Sequence, residues 1–134
     1  MIVRTLGLSL VAAGSVAVSA AIACSCVRHA SAEDQLRGAD VMFVGRAEET
    51  STRSMDGYRG GVTRFTVERT IKGEARAVRR IAHGMDMGGM CGVVFQRGRT
   101  YAVIAYASED RLHTNSCSMP QFPIEDYVRA ARGR

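Results

Sequence analysis

The sequence predicts a mainly β domain, a small closed or nearly closed barrel of five strands with one short helix before the strands and one after. Three observations carry this. Runs rich in β-formers recur with turn residues about every ten positions, a spacing that fits barrels and sandwiches. Helix-capping signals occur only at the two ends. No internal repeat is visible, and a two-sheet sandwich stays open because periodicity does not set strand order.

In chain order, residues 1–23 carry one charge, Arg4, followed by an uncharged run with Leu6, Leu8, Leu10 and Val11 at its centre. A positive start, an apolar middle and small residues at Ala21 and Ala23 fit a secretory signal peptide cut after Ala23. That expectation leaves residues 24–134 as a single domain, enough for one core. The plainer alternative is a retained membrane helix, which the Ser, Gly and Ala in the run disfavour. Ala21-Ile22-Ala23-Cys24 also resembles a bacterial lipobox, in which an acylated Cys24 would tether the protein to a membrane. On either reading the product is exported, periplasmic or extracellular.

Beyond Cys26, Ser31 fits an N-cap with Asp34 three residues on, and Gly38 fits a stop, which predicts the first helix. Asp40 to Ala47 reads as a central strand. Glu48 to Gly61, with Asp56-Gly57 and Gly60-Gly61, reads as a polar hairpin loop. In Val62 to Ile71, Phe65, Val67 and Ile71 alternate with Arg64, Thr66, Glu68 and Thr70, the pattern of a half-buried strand. Lys72-Gly73 is a turn into a weaker strand, Ala75 to Ala82. His83 to Gly92 is rich in Gly and Met, has no period and reads as a loop. Tyr101 to Ala107 is a strand apolar on both faces, and Leu112 to Asn115 is a short last one. Pro123, Glu125 and Asp126 favour the start of a C-terminal helix, and Arg129 and Arg132 its end.

All four cysteines, Cys24, Cys26, Cys91 and Cys117, lie beyond the expected cleavage point, and an even count in a small exported domain predicts two disulfides. Joining Cys24 to Cys26 would close a strained ring across one residue. The two other pairings both tie the N-terminal segment to distant parts of the chain, and each stays open on spacing alone. Each bridge would close a long loop, worth roughly 4 kcal/mol in the chain-entropy account.

Beyond Ala23 the charge is +4, and Lys72 is the only lysine in the whole chain, beside seventeen arginines. The basic residues are scattered apart from Arg76, Arg79 and Arg80, and no aromatic platform accompanies them, so nucleic acid is not an expected partner. Ser, His and Asp occur, but nothing in their spacing assembles a nucleophile and base, so no enzyme is expected and no cofactor is implied. His83, Met85, Met87 and Met90 offer soft ligands that suit Cu(I). The plainer reading is a loop whose methionines pack on the barrel or a partner. His29 and His113 read as ordinary surface or edge histidines.

Cys24-Ser25-Cys26-Val27, the helical segment after it, Ala39-Asp40-Val41 opening a strand, then Cys91-Gly92 and the late Cys117 together resemble the N-terminal domain of the tissue inhibitors of metalloproteinases, within the wider netrin-like module class. The resemblance covers nearly all of the chain beyond Ala23. It implies an oligonucleotide-binding-type (OB-fold) barrel and the pairing Cys24–Cys91 and Cys26–Cys117. It also implies a partner and a mechanism: the free α-amine and carbonyl oxygen of Cys24 would chelate the catalytic zinc of a metalloprotease and displace its activated water. Ser25 would face the pocket beside the metal, and Val27, Gly89 and Met90 would flank it as a contact ridge. An α-amine has a reference pKa of about 7.7 to 8.0, so near neutral pH a useful fraction can donate its lone pair. Acylation would remove that lone pair. Arg28 stands where the animal inhibitors usually have proline, and Arg37 where they have a further cysteine.

Overall fold

The computed structural model describes residues 24–55, 58–85 and 91–133, with the backbone alone described at 53–55 and 58–59. Five strands, β1 (Val41–Met55), β2 (Tyr58–Lys72), β3 (Val78–Gly84), β4 (Thr100–Ser108) and β5 (Arg111–Thr114), close a barrel in the order β1-β2-β3-β5-β4. Helix α1 (Ala32–Arg37) precedes them and α2 (Ile124–Arg132) follows. The expected fold class is therefore the observed one. Every ladder is antiparallel except the closing pair, β3 with β5, whose register sets Ile81 beside Leu112 and His83 beside Thr114.

Helix α1 starts where the sequence places it, with Ser31 as N-cap accepting from the Asp34 N–H at 3.1 Å. At its other end the Lys72 ammonium donates to the carbonyls of Leu36, in the last turn, and Ala39, just past the Gly38 cap, so the one lysine ties β2 to the end of the helix. Helix α2 carries Glu125 and Asp126 in its first turn and Arg129 and Arg132 in its last, as expected from the dipole.

The expected hairpin loop at 48–61 is instead mostly strand. β1 runs on to Met55 and β2 begins at Tyr58, their ladder continuing through Thr50↔Thr63 and Thr52↔Gly61. Ladder hydrogen bonds belong to the backbone, so a polar stretch such as Glu48 to Thr52 can extend a strand when its partner is already aligned. Register shifts between Met42 and Phe43, Val44 and Gly45, and Ala47 and Glu49 bend the hairpin, which lets β1 pair with β2 along one edge and β4 along the other. Gly45 allows the bend: a Cβ there would lie 2.9 Å from the Thr66 carbonyl and 3.0 Å from the Phe43 ring.

The strand after Gly73 starts later than expected, at Val78, and continues through His83 and Gly84, which the sequence assigned to the following loop. Alternation explains the correction, because Arg79, Ile81 and His83 face inward together while Val78 and Arg80 are exposed.

Two cores result. Inside the barrel lie Val41, Phe43, Ala47, Phe65, Ile81, Phe95, Val103 and Ala105. Between the barrel wall and the helices lie Ala32, Leu36, Ala39, Met42, Ile104 and Tyr127. β4 contributes Val103 and Ala105 to the first and Ile104 to the second, which is why its sequence is apolar on both faces. Phe95, outside any strand, plugs the barrel with edge-to-face contacts to Phe65, His83 and Tyr101 at centroid distances of 5.0, 5.1 and 5.0 Å.

Candidate functional site

The segment from Cys24 to Ala30 has no regular structure and lies beside the end of the 3₁₀ turn Ser116–Ser118. Two disulfides hold it, Cys24–Cys91 and Cys26–Cys117, the pairing that the resemblance implied. The bridges lie side by side, with Cys24 Sγ 3.2 Å from Cys117 Sγ. The sulfurs of Cys24, Cys26 and Cys117 fall within 4.8 Å of one another, but all are consumed in bridges and none offers a thiolate to a metal.

The receiving side is braced by short hydrogen bonds. Asn115 caps the 3₁₀ turn by accepting from the Ser118 N–H at 3.1 Å, and the Ser116 N–H donates to the Cys91 carbonyl at 3.1 Å. The Val93 N–H donates to the Gly84 carbonyl at 2.9 Å, closing the base of the connection that leads to Cys91.

Non-covalent anchors complete the clamp. The Gln121 side-chain amide donates to the Val27 carbonyl at 2.9 Å and accepts from the His29 N–H at 3.0 Å. Gln121 is itself positioned through its backbone N–H, which donates to Tyr127 Oη at 3.0 Å and to Gln35 Oε1 at 3.2 Å. The buried Tyr127 hydroxyl donates to Gln35 Oε1, and Gln35 Nε2 donates to the Met119 carbonyl at 3.0 Å. Asp34 holds the next two residues, meeting His29 Nδ1 at 3.2 Å and accepting from the Ala30 N–H at 3.4 Å. Its carboxyl is kept below the usual range chiefly by the His29 hydrogen bond and then by the Ala30 N–H. His29 is thus a tethering residue, and not only a surface one.

Ser25, Cys26, Arg28 and Ala30 are exposed, and Val27 is 74% exposed. With Cys24 Sγ in a bridge, the only donors this residue can offer a metal are its backbone nitrogen and carbonyl oxygen, and the nitrogen only once the chain is cut before it. Gly89, Met90 and Met87 lie outside the described residues, as do residues 1–23.

His83 belongs to a different place. It is buried inside the barrel, where the Thr63 hydroxyl lies 2.7 Å from Nε2, a second hydroxyl, Thr50, lies 2.7 Å from Thr63, and Nδ1 faces the Gly84 carbonyl at 3.2 Å. With Nδ1–H donating to that carbonyl, Nε2 is the acceptor for Thr63. Burial holds its pKa below the ordinary histidine value. His83 therefore stands in β3 under the hydroxyl pair, and Met85 alone among the three expected methionine ligands is a described residue.

The anchors Gln121, Gln35 and Tyr127 were not legible beforehand. Glutamine and tyrosine carry no pattern in sequence, and their partners are about ninety residues away. No protein-family profile matches the chain, and no curated protein is significantly similar to it. Among the described residues no helix is long and apolar enough to cross a membrane.

Proposed function

We propose that the chain, cut after Ala23, inhibits a zinc metalloprotease by presenting the α-amine and carbonyl oxygen of Cys24 to the catalytic metal. The observation that carries this reading is the pinning of Cys24 and Cys26 on either side of an exposed Ser25, with Val27 projecting next to them. A chelating terminus must be ordered before it meets the metal, since freezing a free terminus during binding costs about 1–2 kcal/mol per residue in backbone entropy. Two crosslinks and the Gln121 clamp remove that cost in advance. Ser25 is small enough to enter a pocket beside the metal, while Val27 supplies apolar contact area.

The test is a single-residue extension. The purified exported protein is first weighed intact to establish that its first residue is Cys24 with a free amine. One alanine is then added before Cys24. Inhibition of a susceptible zinc protease should fall by at least a hundredfold, with an unchanged thermal midpoint. Equal inhibition by the extended form would defeat the proposal. A second reading, an exported or lipid-anchored module with no inhibitory role, is favoured by Ala21-Ile22-Ala23-Cys24. A fatty-acyl mass on Cys24 would select it, because an amide-linked chain leaves no lone pair for zinc.

A further inference from the structure

The two bridges that hold the N-terminal segment touch each other. Cys24 Sγ lies 3.2 Å from Cys117 Sγ, although each is bonded to a different partner. Cys26 Sγ completes a set of three sulfurs within 4.8 Å of one another. A bond between Cys24 and Cys117 needs an approach of about 1.2 Å, because a disulfide is about 2.0 Å long.

Exposure divides the four cysteines into an outer and an inner pair. Cys26 and Cys91 are exposed, whereas Cys24 and Cys117 are half-buried. Each bridge therefore joins one outer cysteine to one inner one. A thiolate from solution that attacks either outer sulfur expels an inner thiolate, and it is released in contact with the inner sulfur of the other bridge.

The backbone is held independently of the sulfurs. The Ser116 N–H donates to the Cys91 carbonyl at 3.1 Å, which keeps Cys91 beside the 3₁₀ turn when its sulfur is released. Gln121 still clamps Val27 and His29. Cys24 and Cys117 are 93 residues apart, against 67 and 91 for the present bridges, so a bridge between them closes no shorter a loop. None of the loop-closure entropy is forfeited.

We propose that the four cysteines form one exchange-coupled unit, in which two-electron reduction by a small dithiol leaves a Cys24–Cys117 bridge and turns Cys26 and Cys91 into surface thiols. One thiolate of the dithiol attacks Cys26 and breaks the Cys26–Cys117 bond, and Cys117 leaves as a thiolate. That thiolate attacks Cys24, forms Cys24–Cys117 and expels Cys91, which takes up a proton. The second thiolate of the dithiol then attacks its own mixed disulfide and expels Cys26, which is protonated in turn. The dithiol ends as a cyclic disulfide, and the protein has gained two electrons and two protons. Entry at Cys91 reaches the same product, with Cys24 released first and attacking Cys117. The surviving bond sits on the two shielded cysteines, and the thiols, whose ionised form gains from hydration, sit on the exposed ones. Cys24 ends tethered, so partial reduction uncovers two sites for reversible thiol caps without loosening the start of the domain. All four sulfurs lie beyond Ala23, so none of this depends on cleavage there.

The test treats the purified, oxidised protein with limiting dithiothreitol, quenches with N-ethylmaleimide and maps tryptic peptides without reduction. In molecules with two labels, residues 24–28 should be crosslinked to the peptide that holds Cys117, and fragmentation should place the labels on Cys26 and Cys91. That species should make up more than half of all two-label molecules. A different main pair of labels, such as Cys24 with Cys91 or Cys26 with Cys117, would show one bridge reduced without exchange and overturn the proposal. Conversion straight to four labels would overturn it too. The Cys26→Ser/Cys91→Ser double variant, made under oxidising conditions and folded by circular dichroism, should carry the Cys24–Cys117 bridge and no reactive thiol. Two free thiols in that folded variant would count against exchange as decisively, and should it fail to fold, the wild-type map decides alone.

Discussion

Replacing Gln35 by Leu tests whether the buried amide–hydroxyl network holds the two helices and the N-terminal segment together. Leucine nearly matches the volume, so the change is chemical. It deletes the acceptor of the Tyr127 hydroxyl and the donor to the Met119 carbonyl. Tyr127 and Gln35 are 0% and 1% exposed, so the hydroxyl proton has no water to turn to. An unsatisfied buried donor costs about 1–3 kcal/mol, and burying a leucine there returns a part, which puts the net loss at about 2 kcal/mol. At roughly 2.1 cal/mol/K of unfolding entropy per residue, that is about 9 °C in thermal midpoint for residues 24–134. Tyr127→Phe should cost about 1 kcal/mol, because Phe122 N–H loses its acceptor while Gln121 N–H keeps Gln35. In the double variant the orphaned hydroxyl is gone, and Gln121 is exposed enough for its N–H to find water. The double loss should therefore fall short of the sum by about 1 kcal/mol. Guanidinium unfolding followed by circular dichroism, with disulfides intact, measures all three. Additive losses, or Gln35→Leu within 0.5 kcal/mol of the wild type, a margin at which distant sites also add, would refute the network.

Three further outcomes follow from named contacts. His83 has a folded pKa below its unfolded value near 6.5, so the unfolded chain binds the proton more readily. Stability should hold above that pH and decline as pH falls below it, by up to about 1.4 kcal/mol per unit; thermal melts of His83→Gln should show a flatter profile between pH 7 and 5. Gly45→Ala drives a methyl against the Thr66 carbonyl and the Phe43 ring and should cost about 1–3 kcal/mol in chemical denaturation, with a smaller effect excluding the close approach. Removing the Cys26–Cys117 bridge by paired serines opens a loop of 91 residues and should cost about 4–5 kcal/mol in the chain-entropy account, read as a drop in denaturation midpoint.

The sequence by itself determined the class of the fold, the position of both helices and the presence of two bridges. Those are local or compositional properties: Ser31 caps its own helix, the alternation about Phe65 is written in consecutive residues, and an even number of cysteines counts itself. Its errors lie where a distant partner overrides local preference. Glu48 to Thr52 looks like a loop until the aligned Val62 to Arg64 offers it a ladder, and His83 looks like a loop residue until β5 closes the barrel beside it. Only the tertiary structure decided how the terminal segment is held. Gln121, Gln35 and Tyr127 bind across separations of about ninety residues, and a side-chain hydrogen bond at that range leaves no periodic trace. The same is true of the buried Arg79, since one arginine among seventeen becomes distinctive only when the surrounding chain covers it and leaves its Nε–H without an acceptor.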